Sequence, residues 1–347
     1  MSASRLELEL REQPDALARL LDRQGRNADQ LGALFRRDDV KYLLIASRGS
    51  SSNAARYAQY LLGRANRVPV AFATPSLYTL YEQPPNLEGA LVIGISQSGE
   101  SPDVRAVIDQ ARLQGRPSIA ITNRPDSPIA LAAQAVLPLE AGDELSVAAT
   151  KTYVNSLGAI ALLFAASTED AEARRELELM PRRIAAQLDR SFGDIAALAE
   201  YEGIRGGTVV ARGINYGTAF EIALKIRELS GLLFEAWSSA DLMHGPIAAI
   251  GAGWPVIALA PSGPALESMQ TAIDGLTERG ARVITVADRD DVLDRGVAPM
   301  RLVPGVPEWL SPLTTVIPGQ LTAMRLARLN GKNLDSPDGL SKITLTL

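Results

Sequence analysis

Two carboxylates and an amine share one helical face: Glu221, Lys225 and Glu228 stand at i, i+4 and i+7 within 219–230 (AFEIALKIRELS). Acid, base and amine would then reach one ligand from one side. A solvated Glu-Lys-Glu stripe beside the apolar stripe of Ile222, Ile226 and Leu229 accounts for the spacing equally well. The chemical reading needs a second group. It exists at His244, in 238–248 (SSADLMHGPIA), the one imidazole of the chain, so any histidine acid–base chemistry near neutrality passes through it.

Lysine usage points the same way. Only Lys41, Lys151, Lys225, Lys332 and Lys342 occur, and the other 30 of the 35 basic residues are arginine. A guanidinium stays protonated and cannot serve as an amine nucleophile, whereas lysine can. The few lysines are therefore candidates for lysine-only work. A Ser-His-Asp hydrolase would need a nucleophile elbow, and no G-x-S-x-G occurs.

Serine-rich turns supply a different chemistry. Segment 91–103 (LVIGISQSGESPD) reads as a buried strand, a turn, then Ser101 as N-cap with Pro102 at the first helical position. Free amides at a helix start, with the hydroxyls of Ser96, Ser98 and Ser101 beside Gln97, suit a phosphate. The turn 47–53 (SRGSSSN), with Gly49, Ser50 and Ser51, repeats the theme. An ordinary capped turn uses the same residue types. Two such turns at the carboxyl ends of strands in one sheet favour an anion site. Neither matches G-x-G-x-x-G or G-x-x-x-x-G-K-[ST], so dinucleotide and nucleoside triphosphate sites have no motif support.

The elements that must carry these groups form a repeat. Apolar runs at 42–46, 69–73, 91–95, 118–122 and 135–139 alternate with helical stretches, and runs at 208–211, 255–260, 282–287 and 300–303 follow. This pattern predicts parallel sheets covered on both faces, an α/β fold. Arg48-Gly49 and Arg212-Gly213 lie 164 residues apart, as do Ser98-Gly99 and Ser262-Gly263; each latter pair opens a helix ending in a glycine, Gly115 or Gly280. A duplicated doubly wound unit is expected. The chain is thus divided into an N-terminal helical segment 1–36, a first domain 37–166, a helical linker 167–199, a second domain 200–330 and a tail 331–347 carrying Lys342 and a β-like ITLTL end.

Composition limits the remaining options. A length of 347 residues suits about two domains. Net charge of -5 without a basic tract argues against nucleic acid. The absence of cysteine excludes disulfides and thiolate chemistry, and one histidine excludes multi-histidine metal centres. The charged start lacks the pattern of a secretory signal, and the longest apolar stretches, 157–166 and 247–261, are too short for a membrane helix. A cytoplasmic protein without membrane contact is expected.

The segments EQPDAL (12–17), SRGSSSNAARY (47–57), ISQSGESPD (95–103), ELSVAATKT (144–152), EIALKIRELS (221–230), FEAWSSADLMHGP (234–246) and LSKITLTL (340–347) together resemble one family. It is that of the isomerase half of glutamine-dependent glucosamine-6-phosphate synthase and its stand-alone relatives. The resemblance implies two tandem sugar isomerase (SIS) domains, each a five-stranded parallel sheet flanked by helices. It implies that Ser51, Ser96, Gln97, Ser98 and Ser101 hold a sugar phosphate, and that Val147 and the backbone near Lys342 contact the sugar. Glu228 matches the base that moves the proton between C1 and C2. His244 matches the ring-opening residue, which the family supplies from the neighbouring subunit of a homodimer. Lys342 matches a lysine that can form an imine, and Glu144, Glu221 and Lys225 match supporting polar residues.

Departures from the pattern bear on substrate. Ala149, Arg227, Asp241 and Met243 differ from the residues of the synthase's matching segments, which bears on sugar substituent preference more than on phosphate binding. The synthase releases ammonia from glutamine with a cysteine, and this chain, which starts at the SIS region and has no cysteine, is not expected to do so. The resemblance therefore implies an isomerising deaminase that converts glucosamine-6-phosphate, or a close phosphorylated amino sugar, to fructose-6-phosphate and ammonia. A deglycase or ketose–aldose isomerase of another phosphorylated amino sugar, and a non-catalytic sugar-phosphate sensor, are the alternatives. Acid–base proton transfer is the implied chemistry, so no cofactor and no metal are expected.

Overall fold

The computed structural model describes residues 3–337, 339–340 and 342, with Ala197 described by its backbone alone. The expected β-like end at 343–347 lies outside these residues. The first part of the chain runs α1 (Arg5–Arg11), α2 (Gln13–Phe35), β1 (Tyr42–Ser47), α3 (Gly49–Asn66), β2 (Val70–Phe72) and α4 (Ser76–Thr79). β3 (Ala90–Ile95), α5 (Pro102–Leu113), β4 (Ser118–Thr122), α6 (Pro128–Ala132), β5 (Ala135–Pro138), α7 (Lys151–Thr168) and α8 (Ala171–Glu178) follow. Then come α9 (Met180–Asp194), β6 (Gly206–Ala211), α10 (Tyr216–Ser230), β7 (Leu233–Ser238), α11 (Ser239–Met243) and β8 (Pro255–Leu259). The last elements are α12 (Leu266–Glu278), β9 (Arg282–Ala287), α13 (Asp290–Leu293), β10 (Ala298–Arg301) and α14 (Pro312–Leu329).

Contacts divide the chain into two compact units. The first-sheet unit contains 12–145, 151–181 and Lys342. The second-sheet unit contains 3–11, 146–150 and the described residues of 182–340.

In the first-sheet unit five parallel strands lie in the order β2-β1-β3-β4-β5. Ser47 at the end of β1 pairs with Ile95 at the end of β3, so the turns that leave these two strands are neighbours. The chain leaves β1 toward one edge and later fills the other side through β3, which makes this pair of ends the topological switch point. β3 is buried along its whole length, as expected for a parallel strand covered on both faces. Helix α7 is buried at nearly every position, so the apolar stretch 157–166 is core helix. Glycine lets α2 approach it closely: a Cβ at Gly32 would stand 2.7 Å from the Ala166 carbonyl, and one at Gly158 would stand 2.4 Å from Leu17.

The second-sheet unit repeats this plan, with order β7-β6-β8-β9-β10 and all pairs parallel. β1 and β6 begin at 42 and 206, and β4 and β9 at 118 and 282, which matches the 164-residue spacing of the dipeptides. Two tandem five-stranded α/β domains are thus present, as the resemblance implied. The apolar-run reading missed β7 (LFEAWS) and set the last strand at 300–303 instead of 298–301. Both lie at sheet edges, where exposure interrupts the apolar run: Leu233 and Glu235 of β7 are exposed while Phe234 is buried. Among the described residues no helix is long and apolar enough to cross a membrane.

Candidate functional site

Both serine turns stand at the first switch point. Gly49, at φ +52, opens α3, with Ser50 and Ser51 half-buried in its first turn. Ser47 and Ser52 share a hydroxyl–hydroxyl hydrogen bond of 3.1 Å that ties the strand end to this helix start. After β3, Ser96 is buried and its hydroxyl accepts the Gly99 amide at 3.1 Å while lying 3.3 Å from the Ser101 hydroxyl. Ser98 accepts the Glu100 amide at 3.3 Å. Ser101 is the N-cap of α5 with Pro102 at its first position, as the sequence predicts, although its side chain makes no capping bond. The turn closes tightly at Gly99, where φ is +67 and a Cβ would meet the Ser127 hydroxyl at 1.9 Å. Arg48 bonds buried Asp103 at 2.5 Å, so a residue of the first turn is tied to the helix that follows the second.

Gln97 and Ser98 open into a cleft of about 480 Å³ whose other walls include Glu144, Arg124, Asp126 and Lys342. Ser50, Ser51, Ser96 and Ser101 stand in the turns of the switch point and do not line this cleft. The Glu144 side chain is fully buried; it accepts the Thr152 amide at 3.0 Å, the Thr152 hydroxyl at 2.7 Å and the Lys342 ammonium at 2.9 Å. Burial pushes this carboxyl up, but Lys342 and the two Thr152 donors outweigh it, and Glu144 titrates below its ordinary value. Thr152, Arg124 and Asp126 were not singled out from the sequence. Thr152 stands in the quoted ELSVAATKT segment, whereas nothing in the sequence marks the other two.

The second-sheet unit holds the remaining predicted groups. Lys225 is 1% exposed and lies between Glu221, at 3.6 Å and fully buried, and Glu228, with which it makes a close ion pair. The spacing argument placed these three on one face correctly. The solvated-stripe alternative fails for Glu221 and Lys225, whose side chains are buried, while on the neighbouring apolar stripe α14 packs so closely that a Cβ at Gly319 would stand 2.2 Å from Ile222. Glu228 alone keeps access, lining a cleft of about 220 Å³ with Arg227, Lys332 and Leu340. His244 is exposed and caps the end of α11, its amide bonded to the Asp241 carbonyl at 3.1 Å. Ser238 starts that helix by accepting the Asp241 amide at 3.0 Å and donating to its carboxylate at 2.6 Å. Val147 is half-buried and belongs to this unit.

The duplicated switch point between β6 and β8 differs from the first. The Glu308 side chain covers the Gly263 turn, where a Cβ would meet its Cγ at 2.5 Å, and its Oε1 lies 3.9 Å from a Cβ position at Gly213. A carboxylate of the chain itself therefore lies against the turn that corresponds to Gly99. An anionic ligand would meet like charge there.

A duplicated doubly wound sheet with a serine-lined switch point in its first copy defines a tandem α/β protein with a candidate anion site. The SIS domain model matches residues 38–166 and 208–327, and the chain belongs to this family. A Thermus thermophilus glutamine–fructose-6-phosphate aminotransferase (isomerizing) is 32% identical over 347 residues, covering 96% of this chain and 57% of its own. The chain thus spans little more than half the length of that relative. A solved candidate phosphosugar isomerase from Silicibacter pomeroyi DSS-3 is 30% identical, with TM-score 0.87 over 96% of this chain and all of the other. The C-terminal domain of a Francisella tularensis glucosamine-fructose-6-phosphate aminotransferase, 24% identical, shares the fold with TM-score 0.86 over 97% of this chain and 99% of its own.

Proposed function

We propose that this chain is a phosphosugar isomerase that acts as an isomerising deaminase on glucosamine-6-phosphate or a close phosphorylated amino sugar. The observation that carries the reading is the cleft beside the first switch point: serine and amide donors at one wall, a Glu144–Lys342 pair at another. The turns of 47–53 and 96–101 bind the phosphate through hydroxyls and helix-start amides. His244 assists opening of the pyranose ring. Glu228 removes the proton at C2 of the open aldose amine and delivers a proton to C1, so the enolamine becomes a ketose imine. Water adds to the imine carbon, and the C–N bond breaks to release fructose-6-phosphate and ammonia. Lys342 supports the developing charge from beside Glu144. Phosphosugar and a second copy of this chain, supplying His244, are the proposed partners.

A deglycase acting on an N-substituted amino sugar phosphate is the second reading. It is favoured by a neighbouring cleft of about 280 Å³ that shares Arg124 and is lined by Arg19, Arg23, Glu140 and Asp143, room for a polar substituent. Mass-spectrometric product analysis tests both. Glucosamine-6-phosphate, with and without added ammonium, and a small panel of N-carboxyalkyl derivatives are incubated with the chain. Fructose-6-phosphate and ammonia from the parent compound support the first reading; turnover restricted to the derivatives supports the second. Tight binding with no product from any of them refutes both and leaves a sensor.

A further inference from the structure

The strand β5 leads into the cleft wall through a turn that an L-residue resists. Glu140 adopts φ +54 and is followed two residues later by Gly142 at φ +69. Glycine tolerates this region, whereas a glutamate there is strained by its Cβ. Such a conformation persists only when its surroundings over-determine it. Here they do. The Glu140 carboxylate accepts from Arg23 at 3.1 Å and from the Gln24 amide at 2.7 Å, and its carbonyl accepts from Arg19 at 3.3 Å. Arg19 also reaches the Ala141 carbonyl at 3.4 Å. From the other side, the Asn123 side chain donates to the Gly142 carbonyl at 2.8 Å and accepts the Ala141 amide at 3.0 Å. Six hydrogen bonds from α2 and the turn after β4 thus hold three residues. Two residues beyond them stands Glu144.

We infer that Glu140, Arg19 and Asn123 are positioning residues: they hold the 140–142 turn so that Glu144 is delivered, buried, to its hydrogen bond with Lys342 in the cleft wall. Their effect on turnover rests on the function proposed above; their effect on the Glu144–Lys342 pair does not. Competitive acetylation separates the two. The whole chain is treated with limiting acetic anhydride at mildly alkaline pH, and labelling of Lys342 is measured by mass spectrometry against exposed Lys41, an internal standard. Glu140→Ala raises the Lys342 to Lys41 ratio about threefold, the effect of releasing a partly exposed ion pair. Glu140→Gln, which keeps an acceptor for α2, stays near wild type. Arg19→Met, which removes only bonds to carbonyls, raises the ratio as Glu140→Ala does and serves if that variant does not fold. In turnover of the sugar phosphate, Glu140→Ala lowers kcat with KM unchanged, and Glu140→Gln restores it. A Lys342 to Lys41 ratio unchanged in folded Glu140→Ala and Arg19→Met overturns the inference whatever the turnover. A changed ratio in a chain without turnover leaves the clamp standing and refutes the function.

Discussion

Replacing Lys225 with methionine removes an ammonium that is 1% exposed from between Glu221 and Glu228. Glu228 reaches solvent and tolerates the loss; Glu221, fully buried, does not. At 3.6 Å and an effective dielectric constant of about 20, the Lys225–Glu221 attraction is about 4–5 kcal/mol before desolvation is counted. Breaking such buried pairs costs about 3–5 kcal/mol because one charge stays behind. In the variant, Glu221 can escape by taking a proton. That costs about 1.4 kcal/mol for each pH unit above an ordinary carboxylate value of about 4.3, which caps the loss at about 4 kcal/mol at pH 7 and about 1 kcal/mol at pH 5. The sign follows: the variant's folded state binds a proton that its unfolded state releases, so its deficit shrinks as pH falls. Guanidinium denaturation of wild type and Lys225→Met at both pH values measures the difference. The double variant Glu221→Gln/Lys225→Met leaves no buried charge and recovers most of the loss. A deficit below about 1 kcal/mol at pH 7, equal at pH 5, refutes the reasoning, since buried ion pairs of this kind do not behave so.

Three further outcomes are expected. Gly99→Ala forces a Cβ to within 1.9 Å of Ser127 at a left-handed φ, which costs about 1–3 kcal/mol and, by shifting the serine turn, weakens phosphate binding at least about tenfold in calorimetry. Because Glu144 titrates below the ordinary 4.5, its stabilising contribution is complete above that pH and is lost as pH falls through its lowered value; Glu144→Gln flattens this acid limb in a denaturation series. Gly32→Ala presses a methyl onto the Ala166 backbone at 2.7 Å and lowers the denaturation midpoint by the equivalent of about 1–3 kcal/mol.

Central strands of both sheets were legible because parallel strands covered on both faces are continuous apolar runs, as in β3 and β8. Edge strand β7 was not, since its burial is broken by Leu233 and Glu235. The duplication was legible in paired dipeptides because the turns after corresponding strands reuse glycine. Spacing placed Glu221, Lys225 and Glu228 on one face, but periodicity cannot tell how far a face is covered, and tertiary packing buries Glu221 and Lys225 while leaving Glu228 partly exposed. Contacts between segments far apart in sequence left no local trace. The covering of Gly263 by Glu308, the Arg48–Asp103 bond and the clamp around Glu140 are of this kind.

Proton transfer by Glu228 is the step on which the proposed chemistry depends. Fructose-6-phosphate and ammonia released from glucosamine-6-phosphate are measured continuously for wild type and for Glu228→Gln, which keeps the size and loses the base. Steady release by wild type and a loss of several orders of magnitude in kcat for the variant, with sugar-phosphate binding retained, is the expected result. Turnover by Glu228→Gln at the wild-type rate would contradict it.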